Sequence, residues 1–123
     1  MLLTEENNSG RYVIRHYTTD SVTINQTEYH QSVIVTSNKL ITDWRVKKLH
    51  DLTIYDMEQF LLLSPEVVLL GTNEKTRFVD FAVLQPLLKK RVGVEVMTIA
   101  AACRTFSVIV AENRPVALGL LLG

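Results

Sequence analysis

The residues best placed to do chemistry follow an apolar run at 67–70, where the chain reads Gly71-Thr72-Asn73-Glu74-Lys75-Thr76. A strand emptying into a small polar loop is where parallel α/β sheets collect ligands, beyond the carboxyl ends of their strands. Asn73 tolerates a left-handed backbone nearly as glycine does, so Gly71 and Asn73 could form an anion-cupping turn of backbone N–H groups. The run matches neither of the glycine-rich phosphate motifs, however, and it carries an acid, Glu74. An ordinary strand-to-helix connection accounts for the same residues. A second group, Arg104, Thr105, Glu112 and Arg114, surrounds the last helix. Arg104 and Glu112 are about 12 Å apart along a helix axis, too far for a direct pair. Glu112 and Arg114 straddle the helix end and could fasten it to the closing strand. A carboxylate flanked by two guanidiniums reads either as a structural network or as an anion-binding rim. Trp44, beside a loop, either covers the core edge or offers a contact surface.

Metal and nucleophile chemistry find less support. His16, His30 and His50 are far apart in sequence, with no H-x3-H spacing and no cysteine nearby, so they read as ordinary histidines and no metal is expected. Alternation places His16 on a strand face shared with Tyr12 and Ile14. There is no G-x-S-x-G elbow, and Cys103 follows three alanines in a helical segment, where cysteine is a small buried hydrophobe. Arg104 next to it points elsewhere on the helix. No motif calls for a cofactor.

The 123 residues carry 13 Lys+Arg against 13 Asp+Glu, so no net field draws a nucleic acid or an anionic membrane. The basic stretches at 45–48 and 89–91 are not interleaved with aromatics and read as solvated faces. With 47% hydrophobic and 21% charged residues, the composition is that of a globular protein. The length suits one domain over 1–123, with a frayed tail at 1–11. No apolar run approaches the roughly 20 residues that cross a bilayer, and the first residues resemble neither a secretory nor a mitochondrial leader. A cytoplasmic protein is expected; a mature mitochondrial-matrix protein would look the same.

The elements that must hold these residues come in two halves. Period-two runs at 12–17, 22–24 and 32–37 predict an antiparallel meander, with Asn25 and Gln26 at one reversal. Thr53-x-x-Asp56 then caps a helix over 54–63 whose inner face carries Ile54, Met57, Phe60 and Leu61, stopped by Pro65. Residues 67–70 form a covered strand. Asp80 caps a second helix through Phe81, Leu84, Leu87 and Leu88; Pro86 either kinks it or starts a short helix after a loose turn at 80–85. Val92, Val94 and Val96 mark a strand, 100–113 a helix ended by Pro115, and 116–122 a closing strand. The order is a three-layer α/β fold: a central mixed, mostly parallel sheet with helices, plus an N-terminal antiparallel β layer.

Four motif blocks carry a resemblance: Leu70-Gly71-Thr72, Val94-Glu95-Val96-Met97-Thr98, Ala101-Ala102-Cys103-Arg104-Thr105-Phe106, and Glu112-x-Arg114-x-Val116-Ala117. Over Tyr12 to Leu122, Trp44 included, the chain resembles an uncharacterised bacterial and archaeal family, the Mth938-like domain, related to mitochondrial complex I assembly factor 3. The resemblance implies a three-layered fold and a role in binding protein partners, with no established enzymatic activity. The chain departs from the family's pattern where a second loop glycine is Asn73, an asparagine is Ser107, and two further glycines are Arg91 and Asn113.

The expectation is therefore a non-enzymatic, protein-binding accessory or assembly-type factor whose surface draws on Trp44, the 71–76 loop and the Arg104/Arg114 rim. The alternative is a small-ligand or anion binder, or a cryptic enzyme, with its site at the same loop.

Overall fold

The computed structural model describes residues 10–123. The tail expected at 1–11 lies outside the described residues except for its last two, and the Arg11 carbonyl oxygen accepts from Asn25 Nδ2 at 3.2 Å. The β-branched runs that follow form β1 (Ile14–Tyr17), β2 (Val22–Ile24) and β3 (Thr27–Tyr29), an antiparallel sheet in sequence order. Asn25, at φ +55°, and Gln26 close the β2–β3 hairpin, a two-residue turn that needs the left-handed backbone asparagine tolerates. The sequence reading located this reversal but not β3. Only Tyr29 of β3 is drawn inward, so no alternation marks it.

Two expectations about this half are corrected. The β1–β2 register shifts between Ile14 and His16, a bulge that puts the strand out of phase. Tyr17, not His16, therefore joins Tyr12 and Ile14 against the core, and His16 is exposed. The run at 32–37 is also not part of the meander. Its centre, β4 (Val33–Val35), is wholly buried in a second sheet, between β5 (Leu40–Ile41) and the closing strand (Val116–Leu120). The Leu122 N–H donates to Ser32 Oγ at 2.9 Å, fastening the start of β4 to residues 90 positions away.

The second half keeps the expected order. A 3-10 turn (Leu49–Asp51) leads to α1 (Ile54–Leu61), β6 (Val67–Thr72), α2 (Phe81–Lys89), β7 (Gly93–Thr98), α3 (Ile99–Ala111) and β8 (Val116–Leu120). The α1 capping box forms as read, with the Asp56 N–H donating to Thr53 Oγ1 and the Thr53 N–H to Asp56 Oδ2. Met57 and Phe60 are fully buried, but Ile54 at the helix start is exposed. Asp80 caps α2, which runs continuously from Phe81 and holds Pro86 inside it, so the loose turn at 80–85 is not found. Leu87 is its buried anchor, while Phe81 faces water.

The central sheet has the order β5-β4-β8-β6-β7, and only β4 runs against the other four strands. The step from β6 to β7 goes one way, and the step from β7 back past β6 to β8 goes the other. Right-handed crossovers then send α2 and α3 to opposite faces. On one face, Val33, Val35, Leu69, Leu118 and Leu120 pack against Phe106 of α3 and against the three-stranded sheet. On the other, Ile34, Val68, Leu70 and Ala117 pack against Trp44, Phe60 of α1 and Leu87 of α2. Burying each phenylalanine contributes roughly 1.5–3 kcal/mol. The architecture is three-layered: two helices, the mixed sheet, and a layer shared by α3 and the small antiparallel sheet.

Candidate functional site

Because β6 and β7 are neighbours whose connections leave toward opposite faces, their carboxyl ends open on a crevice. A cleft of about 460 Å³ lies there. One wall is Thr72 to Lys75 with Arg77, after β6. A second is Thr98, Ile99 and Ala100, where β7 becomes α3. The third is Tyr17, Thr18 and Thr19, the turn leading out of β1. Thr98 Oγ1 caps α3 by accepting from the Ala101 N–H at 3.1 Å.

Gly71 and Asn73 do not form the anion-cupping turn, since neither has positive φ. Gly71 lies inside β6, where a Cβ would come 2.7 Å from Leu120 Cδ2 and 2.9 Å from Ala102 Cβ. A side chain is absent there so that α3 can approach the sheet. Thr72 is buried; its hydroxyl donates to Glu74 Oε2 at 3.2 Å and accepts from the Glu74 N–H at 3.1 Å. Glu74 Oε2 also accepts from the Leu49 N–H at 2.7 Å. Asn73 Nδ2 donates to the Thr19 carbonyl oxygen at 2.6 Å, tying the loop to the small sheet. The first residues of the loop are thus largely engaged with the protein, and Lys75 and Arg77 are exposed.

The four residues around α3 separate into two places. Arg104, an exposed residue in the first half of the helix, donates from a guanidinium nitrogen to the Tyr17 hydroxyl at 3.5 Å, behind the cleft wall. Thr105 beside it is half-buried. Glu112 and Arg114 lie past the other end of α3, Glu112 about 12 Å further along by helical rise. There Arg114 sits between two carboxylates, Glu66 at 3.4 Å and Glu112 at 3.7 Å. The arrangement is one guanidinium between two acids, the reverse of the one read from sequence, and it joins α3 to the start of β6. A smaller hollow of about 280 Å³ beside Arg114, Asn38 and Asn113 marks that end.

Trp44 covers the core edge. It is 9% exposed, stands edge-on to Phe60, and its Nε1–H donates to Asp56 Oδ1 at 3.2 Å. It therefore lies in the α1 layer, on the other face of the central sheet from α3. The expected single surface of Trp44, the 71–76 loop and the Arg104/Arg114 rim resolves into three locations, of which only the loop and Arg104 adjoin the cleft.

The remaining candidates are quiet. His16 is exposed, His30 lies 3.6 Å from Glu28, and His50 lies 3.4 Å from Asp51. Among the described residues no three His, Cys, Asp or Glu side chains converge to hold a metal. Burial pushes the Cys103 thiol up to about 12, against a smaller downward pull from Arg104, so at neutral pH it is not a nucleophile.

Sequence reasoning missed two walls of the cleft. Residues 98–100 were recoverable, since the rule that singled out the end of β6 applies equally to the end of β7. Residues 17–19 were not, because nothing local places the small sheet over those strand ends. Also missed were Phe78 and Phe81, 69% and 68% exposed at the start of α2.

Solved structures share this architecture. A Xanthomonas campestris protein is 37% identical with TM-score 0.82, over 91% of this chain and 85% of that one. A Bordetella pertussis protein described as a Mth938-like domain is 24% identical with TM-score 0.79, over 98% and 92%, and shows the fold. In sequence the chain is 34% identical over 85 residues to NADH dehydrogenase [ubiquinone] 1 alpha subcomplex assembly factor 3 of Xenopus tropicalis. That match takes in 68% of this chain but 46% of the assembly factor, about half its length. Among the described residues no helix is long and apolar enough to cross a membrane. Residues 14–121 match a family model, and on that match the chain belongs to the DUF498/DUF598 family of proteins of unknown function.

Proposed function

We propose that the chain is a non-enzymatic accessory protein of the assembly-factor type, working in the cytoplasm by binding a protein subunit of a membrane-bound NADH dehydrogenase. The observation that carries this is the exposure of Phe78 and Phe81 on either side of the Asp80 cap. Two phenylalanines facing water at the start of a helix form an apolar contact surface that no element among the described residues covers. Tyr55, 62% exposed at the start of α1, belongs to the neighbouring helix, which begins at the same end of the sheet. The 71–76 loop runs directly into this surface. The kinship with an assembly factor supplies the class of partner.

The test is complementation. In cells lacking the chain, wild type is expected to restore membrane NADH–quinone reductase activity and the assembled complex on native gels. The Phe78→Ser/Phe81→Ser double variant, with an unchanged melting temperature, is expected not to. An intact complex in the deletion strain sinks the proposal.

A second reading, a small-ligand binder, is favoured by one observation: the cleft at the β6 and β7 ends has a volume within the range of small-molecule sites.

A further inference from the structure

We propose that this cleft takes a small organic anion with an apolar body, a carboxylate or a phosphate ester, held by Lys75 and Arg77. The inference rests on the second reading above and adds the ligand's chemistry. Two of the cleft's walls carry apolar groups: Ile99, 2% exposed, with Ala100 in one, and the half-buried Tyr17 ring in the other. Such a surface gains most from contact with a hydrocarbon or aromatic body.

The charge at the rim sets the rest. Three side chains that are charged at neutral pH line the cleft, Glu74, Lys75 and Arg77. The Glu74 carboxylate is already engaged, accepting from the Leu49 N–H and from the Thr72 hydroxyl through Oε2. Arg77 spends one guanidinium nitrogen on the Glu74 carbonyl oxygen at 3.4 Å, and that contact leaves its charge unneutralised. Lys75 has no carboxylate within ion-pair distance among the described residues. Two cations thus face the cleft against one acid, whose Oε2 is already engaged with the protein, and an anionic group balances the charge left over. A neutral molecule of the same shape leaves both cations as they are, and a cation is repelled.

The test is amide chemical-shift titration of the isotope-labelled full chain with four probes: phenylacetate, phenyl phosphate, the neutral phenylacetamide, and inorganic phosphate. The two aryl anions are expected to shift residues 17–19, 72–77 and 98–100 saturably. Phenylacetamide and inorganic phosphate are expected to bind at least tenfold more weakly. The Lys75→Ala/Arg77→Ala variant, altered only at exposed side chains, is expected to lose at least tenfold in affinity for phenylacetate with its spectrum otherwise unchanged. Equal binding of phenylacetate and phenylacetamide overturns the anion assignment and leaves the small-ligand reading standing. Equal binding of inorganic phosphate overturns the apolar body. No saturable shift at those residues with any probe overturns both the assignment and the reading beneath it.

Discussion

Gly71 of β6 and Ala102 of α3 stand so close that a methyl group on the first would lie 2.9 Å from the methyl carbon of the second. This contact sets the depth at which α3 rests on the central sheet. It also places the start of α3, residues 99 and 100, against the strand ends as one wall of the cleft. A glycine that looked like part of a ligand loop acts through packing, inside β6 and two residues before the loop begins.

Gly71→Ala is accordingly expected to lower stability by roughly 1–3 kcal/mol, the usual cost of overpacking. The backbone there needs no positive φ, so the loss comes from sterics alone. Denaturant unfolding reads it as a lower midpoint at constant slope. An unchanged midpoint would mean that Leu120 and α3 yield without cost.

Asp56 is the polar centre of the opposite face. At 2% exposed it accepts from Trp44 Nε1 at 3.2 Å, from an Arg45 guanidinium nitrogen at 2.6 Å and from the Thr53 N–H at 2.8 Å. Asp56→Ala strands the indole N–H, removes half the capping box and leaves Arg45 without its carboxylate, a loss of about 3 kcal/mol. Asp56→Asn keeps the volume and is expected to lose less, since its amide oxygen still accepts from one donor. Thermal unfolding of the pair separates the carboxylate's charge from packing and the hydrogen bond an amide retains; equal losses would leave only the charge.

Arg91 and Asn113 occupy left-handed positions, φ +61° and +60°, just past α2 and α3. Both helices end in the same pattern: Val92 and Arg114 donate back to the Leu87 and Ile109 carbonyls. Glycine is the residue that adopts this backbone without strain. Arg91→Gly is therefore expected to raise stability by about 0.5–1 kcal/mol, and Asn113→Gly by less, since asparagine already tolerates the conformation. Lower stability in both would refute the strain argument.

The buried Cys103 couples stability to alkaline pH. Its pKa rises from 9.0 to about 12 on folding, so the folded state resists losing the thiol proton while the unfolded state gives it up. Its contribution is therefore whole below pH 9 and falls as pH climbs toward 12. Comparing the pH slopes of wild type and Cys103→Ala above pH 9 isolates this contribution; parallel slopes would remove it. Thiol reagents at pH 8 are expected to modify the native protein only as fast as it opens.

The structure of the second half was largely legible because its signals are local. Thr53-x-x-Asp56, the Asp80 cap, and Pro65 and Pro115 act on residues within one turn of themselves, and the alternation of apolar strands and helices follows from burial on two faces. A left-handed residue such as Asn25 likewise declares its turn. The residues that carry the resemblance, from Leu70 to Ala117, lie in this half.

What the sequence alone determined about this protein is the kind and order of its elements from α1 onward, their caps, its lack of net charge and its family. Tertiary structure decided which sheet each early strand joins. β4 resembles its meander neighbours residue by residue, yet it pairs with a strand more than 80 residues away, because a fully buried run needs cover on both faces. Long-range packing likewise turned Trp44 inward, moved His16 to the surface through a one-residue bulge, and separated Arg104 from Arg114 by most of the length of a helix. The cleft belongs to the same class of fact: its three walls come from residues 17–19, 72–77 and 98–100, and only the folded chain makes them neighbours.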